Sequence, residues 1–149
     1  MQHAESFRDL VVYQKAREVA RRFYEMSKAF PKEERYSLTD QGRRSSRSIG
    51  AQIAEAWAKR GYEKHFVSKL SDADGEQLET PHWMDVALDC GYLTQQERDT
   101  LVDELERICR MLQSMKDKAD LFGGASAGSV RETTAEYFTG HRSSVIRHP

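Results

Sequence analysis

The stretch from Leu38 to Arg60, LTDQGRRSSRSIGAQIAEAWAKR, decides the fold. It has a helix's length but few large apolar side chains. The bulky ones are Leu38, Ile49, Ile53 and Trp57, and from Ile49 onward they recur at four-residue steps, so they share one row of a helix. Around that row sit Ser45, Ser46, Ser48, Gly50, Ala51, Ala54 and Ala56, small residues that let a second helix backbone approach closely. Arg43, Arg44 and Arg47 stand about one turn apart, and Lys59 and Arg60 close the segment. The pattern predicts a central helix with a tight-packing face and a cationic face, in which Ile49, Ile53 and Trp57 serve helix or subunit packing.

Upstream, residues 7–30 read as a first helix. Leu10, Ala16, Val19, Ala20, Phe23, Ser27 and Phe30 form one apolar stripe at three- and four-residue steps. Asp9 and Lys28 sit at the ends that the helix dipole favours for their charges. Pro31 stops the stripe, because proline disfavours helical geometry in the residue before it. Pro31-Lys32-Glu33-Glu34 also suits a first helical turn, so the central helix starts either near Lys32 or at Thr39. Gly61 is expected to close it in the left-handed conformation.

Downstream, residues 62–90 read as a third helix built on Phe66, Leu70, Ala73, Gln77, Leu78, Met84, Ala87 and Leu88. Gly75 and Pro81 interrupt it. Proline inside a helix costs about 3 kcal/mol, so a kink or break is expected around Glu79–Pro81. Gly91 caps the end. Thr94 and Glu97 then form a capping box, in which each side chain satisfies the other's free backbone N–H. A fourth helix follows to about Leu121 on a seam of Leu101, Leu105, Ile108, Leu112, Met115 and Ala119. Short connections make the fold class all-α, an antiparallel up-down-up-down four-helix bundle over residues 1–122. Residues 123–149 are rich in Gly, Ser and Thr and read as a poorly ordered, flexible tail, either an end with no role of its own or one whose apolar spots, Tyr137, Phe138, Val145 and Ile146, dock on a partner.

The chain's 149 residues, 32% of them charged and 38% hydrophobic, match one soluble globular domain. No apolar run approaches the roughly 20 residues of a membrane span, and MQHAESFRDL lacks a signal-peptide pattern, so the expected location is the cytoplasm. Cys90 and Cys109 read as two buried thiols acting as small hydrophobes. Charge is unevenly spread. Residues 1–67 carry 14 Lys and Arg against 9 Asp and Glu, whereas residues 68–122 carry 6 against 13. Such a split fits head-to-tail subunit contact, a polyanion partner on one side, or helices pairing basic and acidic faces within one subunit.

Nothing in the chain spells out a reaction. The five histidines lack metal-ligand spacing, and the phosphate-loop, dinucleotide and hydrolase-elbow motifs are missing, so no metal, cofactor or enzyme activity is expected. Asp72, Asp74, Glu76 and Glu79 read as a solvated acidic face. The arginines carry more information. Arg43 and Arg47 project together, Arg44 flanks them, and Arg17 and Arg21 repeat the four-residue spacing on the first helix. Guanidinium groups bond phosphate in pairs, so these five are candidates for RNA or DNA backbone contact. The alternative is ion pairing with acids such as Asp103, Glu104 and Glu106.

Phe7–Ala16, Phe30–Leu38 (FPKEERYSL), Gln41-Gly42-Arg43-Arg44-Ser45 with Ser48-Ile49, Ile53-Ala54-Glu55 and Gly91-Tyr92-Leu93 occur in the order of a known set of motifs. Over residues 7–122 the chain resembles the four-helix-bundle protein family whose founding members are encoded in intervening sequences of bacterial 23S ribosomal RNA genes. Gln52 stands where that family usually has Asn, and Ala56 where it usually has Gly, which adds bulk at a close contact. The resemblance implies association as a ring of five. The accessory variability determinant of diversity-generating retroelements is similar in fold, a barrel-like pentamer with a basic surface that engages nucleic acid and its reverse transcriptase. Carried over, Arg43, Arg44 and Arg47 become ring-forming or nucleic-acid-facing residues. Two functions follow as expectations: weak, phosphate-led nucleic-acid binding by a homopentamer, or a protein-interaction scaffold or reverse-transcriptase accessory subunit.

Overall fold

The structure, a computed structural model, describes residues 4–123. The expected docking spots Tyr137, Phe138, Val145 and Ile146 lie outside the described residues. Four α-helices carry the fold: α1 (Val11–Ser27), α2 (Asp40–Ala58), α3 (Glu63–Asp89) and α4 (Gln95–Asp117). Each packs against its neighbour in sequence, and α1 closes the square against α4. The described residues contain no strand.

The core forms where the stripes meet. Leu10, Val12, Ala16, Val19 and Phe23 face Leu38, Ile49, Ile53, Phe66, Leu70, Met84 and the whole α4 seam from Leu101 to Ala119, all buried. Leu38, Ile49 and Ile53 are buried as their row predicts, and Trp57 is half-buried with Arg60 stacked 4.0 Å from its ring. The small residues of α2 act as spacers. A Cβ placed on Gly42 would stand 2.1 Å from Phe23 Cζ, so α1 and α2 can approach this closely only with glycine there. Buried Ser45 and Ser46 donate back to Gly42 O and Arg43 O, which satisfies hydroxyls that would otherwise be stranded in the contact.

The helix ends depart from several expectations. The first segment divides into a short 3-10 turn, Phe7–Asp9, capped by a Ser6/Asp9 capping box, and then α1. The α-helix proper starts at Asp40, beside the later of the two expected starts, but a 3-10 turn at Lys32–Glu34 and a π-helical turn at Arg35–Thr39 lead into it from the earlier one. Gly61 does not take a left-handed conformation, and Gly91 does, at φ +77°. Thr94 and Glu97 make the expected capping box.

α3 does not break at Pro81. Thr80 and Met84 on either side are fully buried, and the Thr80 hydroxyl meets Ser45 at 3.0 Å, so packing against α2 holds both halves in one helix. Leu78, expected in the apolar stripe, is 63% exposed, and buried Thr80 takes the inward position. Cys90 is exposed at the end of α3, contrary to the buried-thiol expectation, while Cys109 is half-buried and its thiol is pushed up by burial and then by Asp74.

Candidate nucleic-acid interface

Because α1 and α2 run antiparallel, the end of α1 lies beside the start of α2. This brings Tyr24 of α1 under three cations: Arg43 at 4.7 Å, Lys28 at 4.9 Å and Arg47 at 5.3 Å from the ring centroid. A cation over an aromatic face gains roughly 0.5–1 kcal/mol at exposed sites. Arg43 is held further by Nε donating to Ser27 Oγ at 2.8 Å, and that hydroxyl donates in turn to Tyr24 O. Neither Arg43 nor Arg47 meets a carboxylate among the described residues. Farther along the seam, Arg17 and Arg47 edge a 360 Å³ groove floored by Tyr13, Ala16, Gly50 and Ala54. Arg17 has no ion pair among the described residues either.

The other two candidates are committed. Arg21 pairs with Glu18 one turn back on its own helix. Arg44 leaves the seam for α3, where it meets Glu79 at 2.7 Å and Glu76 at 3.8 Å. The acidic run on α3 is therefore an anchor for neighbouring helices as well as a solvated face: Asp74 also meets Lys116 of α4 at 3.6 Å. Burial first, then Glu79, push the Glu76 carboxyl above the ordinary glutamate range, and its Oε2 is buried without a hydrogen-bond partner. Glu104, a suggested arginine partner, takes Lys15 and Arg107 instead. Basic and acidic halves thus meet partly inside one subunit, through Lys15–Glu104 and Arg44–Glu79, while the α1–α2 seam keeps its positive charge.

The arginines stand out in the sequence, whereas Tyr24, which gathers them, does not. Its signal was the spacing of Tyr24 four residues before Lys28 on the same helix face. Nor do Lys32 and Arg35, which line a cleft with Lys28 and Arg43 at the α1–α2 connection, stand out.

A family profile described as 23S rRNA-intervening sequence protein matches residues 8–114. The chain belongs to the 23S rRNA-intervening sequence protein family. No curated protein matches it significantly. Among solved structures, a protein of unknown function from the S23 ribosomal protein family of Bacteroides thetaiotaomicron is similar, with 29% identity and a TM-score of 0.64 over 71% of this chain and 98% of that one. The FPKEERYSL segment of this 23S rRNA-intervening sequence family member forms the turn that places Arg43 beside Ser27, and its GYL segment supplies the left-handed Gly91. Among its described residues no three His, Cys, Asp or Glu gather as a metal site, and no helix is long and apolar enough to cross a membrane.

Proposed function

We propose that this protein is a non-enzymatic homo-oligomer, a ring of five subunits, that binds RNA or DNA weakly through backbone phosphates along the α1–α2 seam. The observation that carries the reading is Arg43 and Arg47 gathered at Tyr24, with Arg17 farther along, none of them neutralised by a carboxylate among the described residues. Clustered like charges repel one another, and a strand of phosphates relieves that repulsion while releasing its own counterions. Arg21 and Arg44 contribute less, because each already has an acid. The Tyr24 ring is taken up by its three cations and is not offered to a base, so the contact is to backbone and is indifferent to sequence. Five-fold association rests on the family resemblance, and it must leave the seam open for this binding to occur.

Fluorescence anisotropy of a labelled single-stranded RNA, at low and raised salt, tests the binding. The expected result is measurable affinity that falls steeply as salt rises. Light scattering on the same sample tests the ring, with a mass of five subunits expected. A monomer that binds RNA would remove the oligomer and keep the seam. A pentamer that ignores RNA at low salt would do the reverse.

A further inference from the structure

Where the chain passes from α1 to α2, Lys28, Lys32, Arg35 and Arg43 surround a cleft of about 150 Å³ together with the hydroxyls of Ser27 and Thr39. No carboxylate lines it. Glu25 takes Lys28 at 3.2 Å, but Lys32, Arg35 and Arg43 have no anionic partner among the described residues. The acids nearest in sequence do not fill the gap: Glu34 accepts from Tyr92 and Ser37, and Glu33 and Asp40 are exposed to solvent.

Thr39 lines the same cleft. It is 93% buried, at 7% exposure, and its hydroxyl has no hydrogen-bond partner among the described residues. Its oxygen opens onto the cleft and is not tied up inside the protein, so it is free to donate to a ligand atom there. Arg35 and Thr39 are the two ends of the π-helical turn, a conformation that is rare and recurs at functional sites. The Ser27 hydroxyl, by contrast, is spent on fixing Arg43.

We propose that this cleft binds one phosphoryl group, with Lys32, Arg35 and Arg43 supplying charge and Thr39 donating its hydroxyl. The cleft, about 150 Å³ and open to solvent on one side, has room for a tetrahedral oxyanion. The source is either a phosphate of a nucleic acid, in which case the site deepens the seam reading and rests on it, or free phosphate, in which case it stands alone.

The full-length chain is titrated with inorganic phosphate by calorimetry, against chloride at equal ionic strength, and with labelled single-stranded RNA by anisotropy. Wild type is compared with Thr39→Val, which keeps shape and charge, and with a Lys32→Gln/Arg35→Gln double variant, thermal unfolding confirming that each is folded. Saturable phosphate binding beyond chloride is expected, weakened about tenfold or more in both variants. If RNA binding weakens in step, the nucleic acid is the source. If only phosphate binding weakens, the free ion is the source and the cleft still stands. Absence of saturable phosphate binding by wild type, or unchanged binding in both variants, overturns the cleft, and wild-type RNA binding in that same experiment leaves the seam reading intact.

Discussion

Arg44 Nη2 and Glu79 Oε1 meet at 2.7 Å between α2 and α3, and Trp83 Nε1 donates to the same carboxylate oxygen at 3.1 Å. This pairing divides the arginine-rich helix into two functions. Arg44 ties α2 to α3, and Arg43 and Arg47, on the other side of the helix, face α1 and Tyr24. Since Arg44 is half exposed, the tie is worth only about 0–1 kcal/mol. Arg44→Gln should therefore shift the urea midpoint slightly and leave RNA affinity near wild type. An RNA loss as large as that of Arg43→Gln would show that the ion pair opens for phosphate.

Glu76, beside that pair, behaves differently. Burial, and then Glu79, raise its carboxyl above the ordinary value of 4.5, so the folded chain holds the Glu76 proton more tightly than the unfolded chain does. Stability from this group therefore falls as pH rises from about the ordinary value through the raised one. Glu76→Gln should match or exceed wild type in urea midpoint at neutral pH, with the gap closing on acidification below 4.5. A less stable variant at neutral pH would mean that the 3.8 Å contact with Arg44 outweighs the burial.

The glycines of α2 and α3 separate close approach from simple helix propensity. Gly42→Ala would force a methyl into the Phe23 ring and should cost about 1–3 kcal/mol in urea denaturation. At Gly50 the added carbon would sit 3.5 Å from Tyr13, an ordinary contact, and at Gly75 it would meet nothing within 4 Å. Gly75→Ala should therefore stabilise by about 0.5–1 kcal/mol through helix propensity alone. Equal effects at Gly42 and Gly75 would contradict the packing of α1 on α2.

Tyr92 in the turn before α4 donates to Glu34 at 2.8 Å, joining that turn to the α1–α2 connection. The carboxylate, first by this bond, pushes the phenol up to about 12. The folded state thus holds the proton more tightly, and the stability it brings is present below the ordinary value of 10.0 and lost as pH rises towards 12. In an absorbance titration one tyrosinate should appear late, and Glu34→Gln should move it back toward 10.0. A titration unchanged by Glu34→Gln would break the link between the two turns.

The fold was legible because its helices announce themselves in apolar stripes, and α4 in its N-terminal cap as well. The α4 seam from Leu101 to Ala119 is buried throughout, and its Thr94 cap forms as written. Local rules failed where tertiary contacts outweighed them. Pro81 stays inside α3 because Thr80 and Met84 bury on both sides, and Leu78 yields to Thr80 because the Ser45 hydroxyl waits opposite. The candidate site was half legible. Four-residue spacing placed Arg43 with Arg47, but spacing along one helix says nothing of Tyr24 or Glu79 on the helices beside it. Lys32 and Arg35 looked like the charged start of a helix, and only the π-helical turn brings them beside Arg43.

The central claim is that the carboxylate-free arginines of the α1–α2 seam bind phosphate. Salt-dependent anisotropy of a labelled single-stranded RNA, comparing wild type with the Arg17→Gln/Arg43→Gln/Arg47→Gln variant, measures it directly. Each phosphate contact to a single strand contributes about 0.7 to the slope of log affinity against log salt, so the variant should bind more weakly and with a slope shallower by about two. A variant that stays folded and keeps the wild-type affinity and slope would contradict the claim.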